Sequence, residues 1–171
     1  YPFMSATTLR LYGVVPESIV DGPGFRYTVF VQGCPHHCPG CHNPESHDFA
    51  GGYDRTVQSL FDEISQDPLL RGVTFSGGEP FCQPAALTEL ARLCRKKGLT
   101  VMAYSGWTYE ELLEKHDSDI DALLSELDIL VDGRFLLEQR NLELLFRGSE
   151  NQRLIDMKKT RESGTVTLWH S

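Results

Sequence analysis

The chain has no apolar run long enough to cross a bilayer, and nothing at its start reads as a secretory leader. The cytosol is therefore the expected compartment, where thiols stay reduced and available to metals. No internal repeat or low-complexity tract is present, which excludes repeat architectures. Positive charge is scarce: 16 Lys and Arg stand against 24 Asp and Glu, a formal net charge of −8, which argues against a general nucleic-acid binder and offers nothing to a membrane surface. The five cysteines are an odd number, and without a leader they do not read as a disulfide framework. What remains is 171 residues, 40% hydrophobic and 23% charged, enough for one globular domain over 1–171 with a sizeable core. Tyr1-Pro2-Phe3 precede Met4 and read as an addition ahead of the natural start. Charge is uneven: from 133 to 171 seven basic residues meet five acidic ones, net +2, which leaves −10 for the rest. This weakly basic tail is a candidate docking segment for an acidic partner, although a solvated face is the commoner meaning of such a bias.

The richest segment is Gly33-Cys34-Pro35-His36-His37-Cys38-Pro39-Gly40-Cys41-His42-Asn43. Its CxxxCxxC spacing would put three thiolates on one helix face, but Pro35, Pro39 and Gly40 disfavour a helix. Three sulfurs on one tight loop can close around a soft metal centre. With no fourth thiol nearby, they suit an iron–sulfur cluster with one iron left open. Two other readings stay open on spacing alone. Structural zinc would draw on His42, His36 or His37 as a fourth ligand. A closed ferredoxin-type cluster would need Cys82 or Cys94.

Hydrophobic periodicity predicts strands at 8–15 and 26–32, joined through Asp21-Gly22-Pro23-Gly24, and a helix near 57–66 with Val57, Leu60, Phe61 and Ile64 on one stripe. A short strand at 72–75 precedes a helix opened by Gln83-Pro84 and closed by Lys96, Lys97 and Gly98. A strand at 99–104 leads to the capping box Thr108-Tyr109-Glu110-Glu111. Helical pattern falters at Asp117-Ser118-Asp119 and resumes through Ile120, Leu123, Leu124 and Leu127. A continuous apolar strand follows at 128–131, and a last strand is expected at 165–169. Such alternation predicts an α/β protein with a parallel sheet, whose chemistry gathers at the carboxyl ends of the strands. The Cys loop, Ser76-Gly77-Gly78-Glu79-Pro80, Ser105-Gly106-Trp107 and Asp132-Gly133-Arg134 each follow a predicted strand, so they should share one rim.

Each candidate has a plainer reading. Cys94 shares a helix face with Leu87, Leu90 and Ala91 and reads as buried and apolar. Cys82 reads as an idle thiol beside the proposed site. Gly77 and Gly78 either make a tight turn or let backbone approach a ligand closely. Glu79 either offers its carboxylate to a cationic group or is solvated. Asp132 is a candidate ligand contact or a turn cap, and Arg134 a carboxylate partner or a surface residue. His42 can stack on a base or ligate zinc.

The run Val20-Asp21-Gly22-Pro23-Gly24-Phe25-Arg26, the CxxxCxxC loop and Ser76-Gly77-Gly78-Glu79-Pro80 together resemble radical S-adenosylmethionine enzymes, and more narrowly the glycyl-radical-enzyme activases. Val131-Asp132-Gly133-Arg134-Phe135 and Phe146-Arg147-Gly148-Ser149-Glu150-Asn151-Gln152-Arg153 resemble the activases that serve the anaerobic ribonucleoside-triphosphate reductase, and the short chain fits them better than the longer pyruvate formate-lyase type. The resemblance covers about 9–156. It implies a partial (β/α) barrel of parallel strands with outer helices. It also implies a [4Fe–4S] cluster on Cys34, Cys38 and Cys41, whose open iron takes the amino and carboxylate groups of S-adenosylmethionine. Gly77, Gly78 and Glu79 match the segment that receives the methionine amino end, and Asp132 and Arg134 a strand-end position near the cofactor. The position before the last cysteine, commonly aromatic and packed near adenine, is here Gly40, which leaves His42 to take over the packing. The implied chemistry is reductive cleavage of the cofactor to a 5′-deoxyadenosyl radical, which takes a hydrogen atom from a glycine of the partner reductase. A one-electron donor such as flavodoxin or ferredoxin would supply the electron, and neither nucleic acid nor membrane is involved. The alternatives are activation of another glycyl-radical enzyme, a small radical enzyme acting on a metabolite, or, in another class, a non-catalytic zinc or electron-transfer module.

Overall fold

The computed structural model describes residues 7–18, 24–33, 52–133 and 151–169. In chain order they form β1 (Thr8–Ser18), β2 (Arg26–Val31), β3 (Tyr53–Thr56), α1 (Val57–Ser65), β4 (Gly72–Gly77), α2 (Pro84–Lys96), β5 (Thr100–Tyr104), α3 (Tyr109–Glu114), α4 (Ser118–Ser125), β6 (Ile129–Asp132), β7 (Arg153–Asp156) and α5 (Met157–Ser163). The strands make one seven-stranded sheet in the order β3-β1-β2-β4-β5-β6-β7. β2, β4, β5 and β6 are mutually parallel. β1 and β7 flank this group antiparallel to β2 and β6, and β3, at the edge, pairs antiparallel with β1. The expected α/β barrel segment of parallel strands with outer helices is thus present; of the strands that border it, β1 falls on the strand expected at 8–15, while β3 and β7 leave no sign in the sequence pattern.

Period-two alternation sorts the side chains of the parallel strands. Tyr27, Val29, Val31, Val73, Phe75, Val101, Ala103 and Leu130 face the main core, where α1 to α5 bury Val57, Leu60, Ile64, Leu87, Leu90, Leu112, Leu123 and Met157. The alternate residues Met102, Ile129 and Val131 form a second cluster on the other face, with Tyr104, Leu154 and Trp169 against it. Burial of both faces explains why the parallel strands read as continuous apolar runs. The caps follow local chemistry. Thr56 Oγ1 accepts from Ser59 N–H at 3.1 Å. Thr108 and Glu111 complete the predicted box, with bonds of 3.1 and 2.9 Å. Asp117, where the helical pattern falters, caps α4 through Asp119 N–H at 2.8 Å.

Three elements depart from expectation. β3 reads Tyr-Asp-Arg-Thr and lies exposed at the sheet edge, so it carries no apolar alternation. α5 buries only Met157 and Thr160, which is too narrow a stripe to see; Asp156 caps its start and Gly164, at φ +73°, its end. The strand expected at 165–169 reduces to an isolated bridge between Ile155 and Leu168, because β7 occupies the edge next to β6. Within the segment after Gly133, β7 belongs to the sheet and the buried Met157 to the core.

The last residue of the Val20–Arg26 run has a structural role. Arg26 is buried, and its guanidinium donates to Thr74 Oγ1 at 2.8 Å, Thr100 Oγ1 at 2.9 Å and the Val73 carbonyl at 2.8 Å. It thereby laces β2, β4 and β5 together at their amino ends. Gly72 leaves the space: a Cβ there would lie 2.6 Å from the guanidinium. Burial lowers the Arg26 pKa to about 10.

Candidate cofactor site at the carboxyl rim

Parallel pairing in close register brings the carboxyl ends of β2, β4, β5 and β6 to one side of the sheet, in that order. Hydrogen bonds then join each end to the next. From the β4 end, Gly78 N–H donates to the Val31 carbonyl at 2.8 Å and Glu79 N–H to the Gly33 carbonyl at 2.7 Å. From the β5 end, Gly106 N–H donates to Glu79 Oε1 at 2.7 Å, while Ser105 N–H reaches the Val131 carbonyl at 2.9 Å. Gly133 N–H donates to the Trp107 carbonyl at 3.4 Å, and the Gln152 amide donates to the Gly133 carbonyl at 3.1 Å.

The predicted rim is therefore real where it is described. Gly77, Gly78, Glu79, Asp132 and Gly133 lie on it, and Gly33, the residue before Cys34, is held at its β2 end. Cys34, Cys38, Cys41, Gly40, His42 and Arg134 lie outside the described residues, as does 146–150.

Gly77 and Gly78 are small for a reason that the sequence reading did not isolate. Gly77 has φ +95°, and a Cβ on it would lie 2.6 Å from Val31 N. A Cβ on Gly78 would lie 2.3 Å from the Gly33 carbonyl oxygen and 2.8 Å from its carbon. Both glycines let the β4 end press against the backbone that leads into the Cys loop. Glu79 is fully buried rather than solvated. Besides the Gly106 bond, its Oε2 accepts from Phe81 N–H at 3.2 Å and caps the 3-10 turn Pro80–Cys82.

Asp132 is 1% exposed and engages protein groups. Tyr109 N–H donates to its Oδ2 at 2.8 Å, and Arg153 donates through Nε to Oδ1 at 3.0 Å and through Nη2 to Oδ2. Arg153 Nη2 also reaches Glu110 Oε1 at 2.6 Å. Its hydrogen bonding to Asp132 raises the Arg153 pKa, and bonding from Arg153 in turn lowers that of Glu110. In the described structure Asp132 is a lock between the β6 end, the start of α3 and β7. Arg153, which closes the Phe146–Arg153 run, is the rim residue that sequence reasoning did not single out. Lys115 Nζ sits 4.0 Å over the Trp107 ring.

Cys94 is buried in the main core, and burial pushes its thiol up to about 12, as its helix-face spacing predicts. Cys82 ends the 3-10 turn after Glu79 and is half-buried. Among the described residues, no group of three or more His, Cys, Asp or Glu is placed to hold a metal ion. No described helix is long and apolar enough to cross a membrane.

Residues 20–155 match the family model described as a 4Fe-4S single cluster domain. The chain is 37% identical to the anaerobic ribonucleoside-triphosphate reductase-activating protein of Vibrio cholerae over 147 residues, which is 80% of this chain and 91% of that protein. The protein of the same name from Haemophilus influenzae is 35% identical over the same shares. The pyruvate formate-lyase-activating enzyme of Clostridium pasteurianum is 38% identical over 117 residues, which is 63% of this chain and 49% of that enzyme. Among solved structures, QueE from Escherichia coli superposes with a TM-score of 0.47 at 18% identity, covering 59% of this chain and 53% of QueE.

Proposed function

From the premise that the chain belongs to the family of anaerobic ribonucleoside-triphosphate reductase-activating proteins, we propose that it activates such a reductase by reductive cleavage of S-adenosylmethionine at a [4Fe–4S] cluster. The observation that carries the choice of partner is the extent of the match. Reductase-activating relatives are matched over nearly their whole length, whereas the formate-lyase activase of Clostridium pasteurianum is matched only in part.

Cys34, Cys38 and Cys41 would hold the cluster, which would bind the cofactor through its amino and carboxylate groups. The donor set suits this: three thiols fall within 34–41, just beyond Gly33. When bound, the reduced cluster and its cofactor supply the one-electron cleavage that yields a 5′-deoxyadenosyl radical able to take a hydrogen atom from a glycine of the partner. The chain's own residues supply position. Glu79 N–H and the absent side chain of Gly78 fix Gly33, and with it the root of the Cys loop. Gly77, Gly78 and Glu79 border the methionine end of the cofactor, and Gly40 and His42 its adenine end. Asp132 and Arg134 match, by the resemblance, a strand-end position near the cofactor. The protein works in the cytoplasm with a flavodoxin- or ferredoxin-type electron donor. The weakly basic residues after Gly133, including the exposed Lys158 and Lys159 of α5, form part of the surface that meets the reductase.

The test mixes the reduced protein, S-adenosylmethionine and the anaerobic reductase without oxygen. A glycine-centred doublet in the electron paramagnetic resonance spectrum is expected, absent when the partner lacks its radical glycine. A doublet on pyruvate formate-lyase instead would keep the activase and overturn the partner. Deoxyadenosine release with no glycyl radical on any candidate would favour a metabolite substrate.

A further inference from the structure

We propose that Glu79 is a positioning residue: its carboxylate ties the β4 rim loop to the β5 rim loop, and so sets the gap between the Cys-loop root and Gly106. The resemblance gives Glu79 a place beside the methionine amino group. The structure turns its side chain into the protein. Oε1 accepts from Gly106 N–H at 2.7 Å and Oε2 from Phe81 N–H at 3.2 Å, and the residue has no exposed surface. The same residue's own N–H holds the Gly33 carbonyl at 2.7 Å. One residue therefore grips the entry to Cys34 through its backbone and the β5 loop through its side chain.

The chemistry explains why a glutamate stands here. Two backbone donors from different loops converge on two oxygens. A carboxylate accepts at both, with charge-assisted bonds stronger than neutral ones. Glutamine has one oxygen, and its amide N–H2 would oppose one of the donors. Aspartate keeps the charge but is one methylene short of spanning both loops. The β5 loop is itself anchored onward, since Ser105 N–H bonds to Val131 and Trp107 accepts from Gly133. A displacement at Gly106 therefore moves relative to a fixed β6 end. It appears as a wider or tilted cleft between the β2 and β5 ends, where the proposed function puts the cofactor.

The inference rests on that function only for its effect on the cofactor; the bond itself is tested separately. In the full-length, cluster-loaded protein, the Gly106 amide should be protected from hydrogen exchange. In Glu79→Gln it should exchange at least about tenfold faster. Affinities for S-adenosylmethionine and for an analogue lacking the α-amino group are then read from the paramagnetic signal of the reduced cluster. A positioning role weakens both ligands by the same factor, about tenfold. Glu79→Asp should resemble Glu79→Gln, because reach and not charge is lost. A carboxylate that binds the ammonium directly would weaken only the amino-bearing ligand in Glu79→Gln, and that result overturns the proposal. An unprotected Gly106 amide in the wild-type protein overturns it too, even if the Gln variant does not fold. A chain that takes up no iron would sink the proposed function alone, because the exchange measurement still decides whether Glu79 bridges the loops.

Discussion

Replacing Gly78 by alanine probes the rim at its tightest point. The new Cβ would lie 2.3 Å from the Gly33 carbonyl oxygen, 2.8 Å from its carbon and 3.0 Å from its nitrogen, where ordinary contact begins at 3.4 Å. Backbone cannot rotate away as a side chain can, so the β4 loop and Gly33 must separate by about 1 Å, the shortfall at the oxygen. That movement breaks the Gly78–Val31 and Glu79–Gly33 bonds, each worth about 1 kcal/mol. Overpacking adds roughly 1–3 kcal/mol. The total, about 3–5 kcal/mol, corresponds to a melting temperature roughly 10 °C lower for a domain of this size. Gly98→Ala is the control. Gly98 has φ +89° and nothing within 4 Å of its would-be Cβ, so only the left-handed backbone costs energy, about 1–2 kcal/mol. Calorimetry compares the two variants, and iron analysis after anaerobic reconstitution follows the Cys loop. Gly78→Ala should melt well below Gly98→Ala and take up less iron. If both melt together and Gly78→Ala loads iron like the wild type, the close approach is not what the rim requires.

Arg153→Met should destabilise the fold by about 2–4 kcal/mol in a denaturant titration, because it strands the buried Asp132 carboxylate without its bidentate partner; a loss under about 0.5 kcal/mol would mean that Asp132 is satisfied otherwise. The exposed Glu110 arm contributes less than about 1 kcal/mol. Its carboxyl is held below the ordinary range when folded, so this stabilisation is present above that range and fades as pH falls through the depressed value, a dependence that should vanish in Arg153→Met. Cys94 should resist alkylation at neutral pH until the protein unfolds, and Cys94→Ala should keep its iron while Cys38→Ala loses it; rapid labelling of Cys94 in the folded protein would contradict its core position.

Most of the sheet was legible because its central strands are buried on both faces and its helices carry wide stripes. Val73, Phe75, Val101, Ala103 and Leu130 need apolar side chains whatever the function, and their pattern survives in the sequence. β3, β7 and α5 were not legible, since an edge strand or a helix that buries two residues leaves no periodic signal. The rim was legible as a set of strand ends, because turn residues mark where parallel strands stop. Its internal wiring was not. No spacing rule connects Glu79 to Gly106 or Asp132 to Arg153; these pairs meet because register places the strand ends side by side.

That wiring changes how the motifs are understood. Arg26 ends one run that marks the resemblance and Arg153 ends another, yet both side chains do structural work. Arg26 laces the amino ends of three strands, and Arg153 fastens β6 to β7 and α3. The Gly77-Gly78-Glu79 segment likewise spends its glycines on contact with Val31 and Gly33, and its carboxylate on Gly106. A radical generated next to a protein's own backbone is safest where that backbone cannot drift toward it. On the proposed function, residues that hold the strand ends rigid would serve the reaction alongside those that touch the cofactor, and a family motif would record both kinds without distinguishing them.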